Sequence, residues 1–156
     1  MDNRAEEEFK KWLDKNKIPY WYIDQSMESF SPRLRELMFK RPDFMVLLPN
    51  VGLMFVDVKN KQRAKKYPKF FLRTKEVDKY LRMQRVFNIP TWFVISHQDY
   101  NYNKWFWIPT SEIVRSGFIF ETKGQYKRVY SIPIESMIEV SREDNLEKVF
   151  SKLFRV

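Results

Sequence analysis

The chain has no cysteine, one histidine and three glycines, Gly52, Gly117 and Gly124. Without cysteine there can be neither disulfides nor thiolate zinc sites. A single histidine, His97, excludes zinc sites built on several imidazoles. Nothing near His97 completes a Ser-His-Asp or Cys-His arrangement, so it reads as a turn residue. None of the glycines stands in a phosphate-cradling run, which removes P-loop and dinucleotide-binding readings. No apolar stretch approaches the roughly 18 residues of a membrane-spanning helix. The opening residues, Met1-Asp2-Asn3-Arg4-Ala5-Glu6-Glu7-Glu8, are acidic and helical in pattern, unlike a secretory leader. A cytoplasmic protein with no membrane partner is expected.

A length of 156 residues suits a single domain with one core, here residues 1–156. Aromatic residues reach 17%, too many for a disordered chain. Lysine and arginine number 29 against 20 acids, a net charge of +9. That excess favours a polyanionic partner, nucleic acid first and anionic membrane second. It is concentrated in residues 59–75, which hold eight Lys or Arg and no acid, interrupted by Tyr67, Pro68, Phe70 and Phe71.

Residues 4–16 read as an amphipathic helix on the spacing of Ala5, Phe9, Trp12 and Leu13. Tyr20-Trp21-Tyr22-Ile23 reads as a strand, and Ser31-Pro32 starts a short helix to about Phe39. Asp43 to Leu48 and Leu53 to Lys59 form a hairpin around a four-residue loop, 49–52. In that register Leu48 faces Leu53, Asp43 faces Val58 and Asp57 faces Phe44. A helix is expected from about Thr74 to Phe87. Thr91 to Ser96 is a continuous apolar strand and therefore central. A strand over 104–108, a helix starting at Ser111, and a hairpin of 118–122 with 126–132 around Lys123-Gly124-Gln125 follow. Ser141 is expected to cap a last helix through about Leu153. The element order indicates an α/β or α+β domain with a core of about 5–108 and an extension of about 109–156.

Chemistry concentrates at the open end of the first hairpin. Asp57 and Lys59 are two apart and share a face, while Met54, Val56 and Val58 face the core. Asp43 stands close by on the neighbouring strand, and its facing requires a twist or bulge to meet Asp57. Two close carboxylates repel unless a cation is shared. A divalent ion with oxygen ligands resolves this, and Mg²⁺ needs few protein ligands. As an ordinary surface ion pair Asp57 and Lys59 would contribute about 0–1 kcal/mol. An acid ending the apolar run Leu53 to Val58 is poorly explained that way.

Arg41-Pro42-Asp43, thirteen residues, then Asp57-Val58-Lys59 resembles the PD-(D/E)xK nuclease superfamily. The order helix, strand, hairpin, helix, strand resembles its core, over roughly residues 5–96. The layout is similar to archaeal Holliday-junction resolvases and small phage or prokaryotic nucleases. The resemblance implies a restriction-endonuclease-like α/β fold, a central mixed sheet flanked by helices, carrying a C-terminal β-hairpin and helix. It implies a metal-dependent endonuclease in which Asp43, Asp57 and the Val58 carbonyl hold Mg²⁺ (or Mn²⁺) and Lys59 positions water. It further implies an acid on the first helix, best Glu6, with Glu7 and Glu8 as alternatives, and a polar residue on the later helix, Gln84. Asp57 stands where many members carry glutamate.

The basic segment then reads as a phosphate-contacting stretch, with Lys61, Arg63, Lys65, Lys66 and Lys69 as its cations. Nucleic acid is the expected partner, DNA ahead of RNA, and a homodimer would place one site on each strand. The alternative is a non-catalytic or partner-dependent nucleic-acid-binding module of the same fold.

Overall fold

The computed structural model describes residues 3–124 and 128–153. Helix α1 (Arg4–Lys15) buries Ala5, Phe9, Trp12 and Leu13 and turns its charges outward. Strand β1 (Tyr20–Tyr22) precedes a short α2 (Pro32–Glu36), where the Ser31 hydroxyl accepts from the Leu34 N–H. This helix is shorter than expected because Met38 takes a left-handed backbone, φ 57°, which ends it. There follow β2 (Phe44–Leu48), β3 (Gly52–Asn60), β4 (Lys69–Arg73), α3 (Thr74–Phe87), β5 (Thr91–Ser96) and β6 (Lys104–Pro109). The chain continues through α4 (Thr110–Ser116), β7 (Phe118–Glu121), β8 (Arg128–Pro133), β9 (Ile138–Ser141) and α5 (Glu147–Leu153).

Among the described residues the strands form a six-stranded sheet, β1-β2-β3-β5-β6-β9, and a three-stranded sheet, β4-β8-β7. In the large sheet β3 and β5 are parallel and the other pairs antiparallel, so the sheet is mixed. Every residue of β5 is buried because both faces are covered. On one face Trp92 and Val94 join Phe9, Trp12 and Leu13 of α1 and Val149 of α5. On the other, Phe93 and Ile95 join Val77, Tyr80 and Met83 of α3 and Ile113 of α4. Among the described residues no helix is long and apolar enough to cross a membrane.

The first hairpin differs from the expected register by one residue. Leu48 pairs with Gly52 and Phe44 with Val56, so the loop is 49–51. Asn50 in the left-handed region (φ 63°) and Gly52 at φ 141° close it in three residues. A φ of 141° is open to glycine and strained for any side chain. The ladder stops at Phe44: Asp43 precedes the strand, and its N–H donates to the Val56 carbonyl while its carbonyl accepts from the Ile23 N–H. Two residues, Asp43 and Phe44, thus oppose Val56, which is the bulge that the sequence left open as a way to bring Asp43 near Asp57.

Two strands were not expected. The basic segment contains β4, and residues 138–141 form β9 at the edge of the large sheet. The segment read as an extension thus completes both sheets. Ser141 ends β9, and α5 begins at Glu147, whose N–H donates to the Asn145 side chain. Gln125 of the expected turn and residues 126 and 127 of the expected strand lie outside the described residues.

Candidate active site

The alternation of β3 sends Met54, Val56 and Val58 under α1 and leaves Asp57 and Lys59 facing α3. Asp57 is only 2% exposed, so its desolvation must be offset locally. The Tyr80 hydroxyl donates to Asp57 Oδ2 and lies 3.1 Å from the Arg41 carbonyl. Lys40 Nζ stands 3.4 Å from the same oxygen. Lys59 Nζ is 3.1 Å from Oδ1 but off the hydrogen-bonding direction, so this buried oxygen has no hydrogen-bond donor. Both lysines also contact Glu76 from the first turn of α3.

Asp43 is buried beside this group. Its Oδ2 accepts from the Val58 N–H at 2.7 Å, and its own N–H donates to the Val56 carbonyl at 3.0 Å. In a strand the carbonyl of a residue points with its N–H. The Val58 carbonyl therefore faces the Asp43 side as well. Burial raises the Asp43 carboxyl to about 7; the Asp57 and Glu6 carboxylates add to the rise, and the Val58 N–H and Lys59 oppose it. Burial also pushes Lys40 down to about 8, against the pull of Asp57 and with help from Lys59. Tyr80 is raised well above the phenol range, first by burial and then by Asp57.

Glu6 accepts a 2.8 Å hydrogen bond from the Tyr22 hydroxyl and is near enough to act on Asp43. Glu8 is paired instead with Lys11 and Arg142, each at 2.8 Å, and Glu7 is exposed. Gln84 is a correction. Its Oε1 accepts from the Thr91 N–H at 3.1 Å, and it lines an apolar cavity of about 510 Å³ with Leu48 and Gly52, at the loop end of the hairpin. Helix α3 leads into β5, which is parallel to β3, so it runs against β3. Its first turns then meet Asp57 and Lys59, and each further turn moves about 5.4 Å away. Tyr80 and Glu76 hold the place expected of Gln84. All three lie on one helical face at intervals of four, and that spacing was the available signal for Glu76 and Tyr80.

Among the expected phosphate contacts, Arg63, Lys65 and Lys66 are exposed. Lys69 is half-buried, with its Nζ 4.9 Å from the centroid of Tyr67. Lys61 is a second correction: its Nζ donates to the Phe71 carbonyl at 3.0 Å, so it fastens β4 to the end of β3. Burial pushes it down to about 8, aided by Lys59 and Arg73.

The donor set is all oxygen: two neighbouring carboxylates, an Asp57 oxygen lacking a donor, and the Val58 carbonyl. Among the described residues no point gathers three or more His, Cys, Asp or Glu side chains. A small hard cation that keeps most of its waters needs only one or two carboxylates, and this set fits that demand. It does not fit zinc, which favours nitrogen and sulfur.

The raised Asp43 pKa sets a pH dependence. A carboxyl that holds its proton more tightly folded than unfolded makes stability fall as pH rises from its ordinary pKa through about 7. Melting of the metal-free protein in chelator should therefore decline from pH 5 to pH 8. Asp43→Asn should flatten that decline, and unchanged pH dependence would assign it to other groups.

A family model described as "Phage putative PDDEXK endonuclease" matches residues 1–148. No curated protein matches the chain. Among solved structures it is similar to Hjc, a Holliday junction resolvase of the archaeal hyperthermophile Archaeoglobus fulgidus. The identity is 15% and the TM-score 0.57, over 90% of this chain and 95% of that one. That likeness shows a shared restriction-endonuclease-like fold.

Proposed function

Since the chain belongs to the phage PDDEXK endonuclease family, we propose that it hydrolyses phosphodiester bonds in DNA, in preference to RNA, with Mg²⁺ or Mn²⁺ held at Asp43 and Asp57. The observation that carries this reading is the buried Asp57 Oδ1 without a hydrogen-bond donor, beside a second carboxylate and a lysine. Asp43, Asp57 and the Val58 carbonyl would hold the ion, with Glu6 reaching it through water. When bound, the ion supplies positive charge to the phosphate as negative charge develops there.

The chain's own groups account for the rest. Tyr80 donates to Asp57 and fixes its orientation. Glu76 holds Lys59, whose ammonium would orient a water for in-line attack. Lys40 neutralises the Asp57 and Glu76 pair from the rim. Arg63, Lys65, Lys66 and Lys69 offer cations to the flanking phosphates. Two copies of the chain would present one such site to each strand of a duplex.

The test is incubation with single-stranded, duplex and branched DNA and with RNA, in Mg²⁺, in Mn²⁺ and in chelator. Cleavage that requires metal is the expected result. Salt-sensitive binding with no cleavage in either metal would leave a binding module of the same fold. Tyr80→Phe keeps the ring and removes the donor to a charged oxygen, a bond worth about 1.5–3 kcal/mol. Cleavage should fall by about 10- to 100-fold, and the melting temperature should drop by several degrees because a buried carboxylate loses its donor. An unchanged rate would show that Asp57 is oriented without Tyr80.

A further inference from the structure

The three-stranded sheet turns one face inward and the other to solvent. Phe70, Leu72 and Ile132 take the inner face and are fully buried. The register sets Phe71 and Phe118 across Ser131, and Arg73 and Phe120 across Val129, so these positions share the outer face. There Phe118 is 73% exposed and Phe120 55%. The Phe71 and Phe120 rings stack with centroids 6.4 Å apart. Lys69 Nζ lies over the rings of both Tyr67 and Phe71. Large rings grouped on an outer face add nothing to the core and mark a surface that is covered in use.

Charge selects the occupant. Strand β4 lies within residues 59–75, which carry no acid. Arg63, Lys65 and Lys66 are exposed in the loop that leads into it. A second copy of this face would set like charges against each other. A nucleic-acid strand is attracted by the same cations, and every base offers a π-face to a ring. In a duplex those faces are stacked inside, so unpaired nucleotides are the matching form. The platform also adjoins the site: the bond from Lys61 to the Phe71 carbonyl ties β4 to the strand end that carries Asp57 and Lys59.

We infer that the outer face of the small sheet binds unpaired nucleotides by stacking on Phe71, Phe118 and Phe120, so that the substrate has a single-stranded segment beside the bond to be cut. The substrate clause rests on the nuclease reading above; the stacking surface stands on its own geometry.

The experiment measures anisotropy of a labelled oligothymidylate of about 20 nucleotides with the full chain in chelator, where no cleavage intervenes. Phe118→Ser combined with Phe120→Ser should weaken binding by about 10- to 100-fold. The dependence of affinity on salt should keep its slope, because no cation is lost. Phe118→Tyr with Phe120→Tyr retains the rings and should restore affinity. Binding of a fully paired duplex should not change. Equal oligothymidylate affinity for the double serine variant and the parent would overturn the inference, and so would an equal loss on duplex. Intact oligothymidylate binding with a change only in sedimentation mass, or only in phosphatidylglycerol vesicle binding, would assign the face to a second copy or to a membrane. A protein that cleaves nothing but loses oligothymidylate binding in the serine variant keeps the platform and sinks the nuclease reading. One that cleaves, and is indifferent to the substitutions, does the reverse.

Discussion

Lys59→Ala is expected to lower metal-dependent cleavage by about 10²–10³-fold or more, the cost of losing one preorganised group at a reacting centre. The substitution takes away the ammonium 3.1 Å from Asp57 Oδ1. It does not strand the two acids, because Lys40 still contacts both Asp57 and Glu76. The fold should therefore survive, and circular dichroism with a melting curve separates lost chemistry from lost structure. Asp57→Asn should be at least as severe, because it removes the charge of a proposed metal ligand while keeping an acceptor for Tyr80. Cleavage by Lys59→Ala at the parental rate, in a folded protein, would remove the site from this hairpin.

Phe93→Ala should carry the largest stability cost, about 3–5 kcal/mol as for other buried aromatic truncations. Phe93 is fully buried on the central strand and packs edge-on against Tyr80, with centroids 5.3 Å apart at 81°. Across the ladder it is paired with Asp57. Its loss leaves a cavity beneath Tyr80, whose hydroxyl donates to Asp57. Urea unfolding should show a lower midpoint with an unchanged slope. Cleavage per folded molecule should fall as well, which a remote core truncation would not cause. A stability loss below about 1 kcal/mol would mean that the site collapses around the gap.

The elements with strong local periods were readable in advance. Helix α1, helix α3 and strand β5 fall where the spacing of apolar residues puts them, because each buries a face or a run that the period itself exposes. Strand β4 was hidden by its cations: Lys69 and Arg73 alternate with Phe70 and Leu72, yet the surrounding run of charge reads as loop. Strand β9 is four residues at a sheet edge, too short for its alternation to stand out. Lys40 lies outside any element and had no periodic signal at all.

Residue order alone made three things legible. An acid and a lysine share one face of an apolar strand, a second acid begins the neighbouring strand, and a cationic segment follows. These depend on a period of two and on composition, which are local. Two matters came only with folding. Asp43 meets the Val58 N–H because the backbone bulges beside Phe44, and a bulge is set by how the two strands pair rather than by a local pattern. Glu76 and Tyr80 meet Asp57 and Lys59, and Gln84 does not, because that contact is set by how far along the sheet the helix is docked. Such an offset between packed elements is a property of the whole core, and no local pattern encodes it.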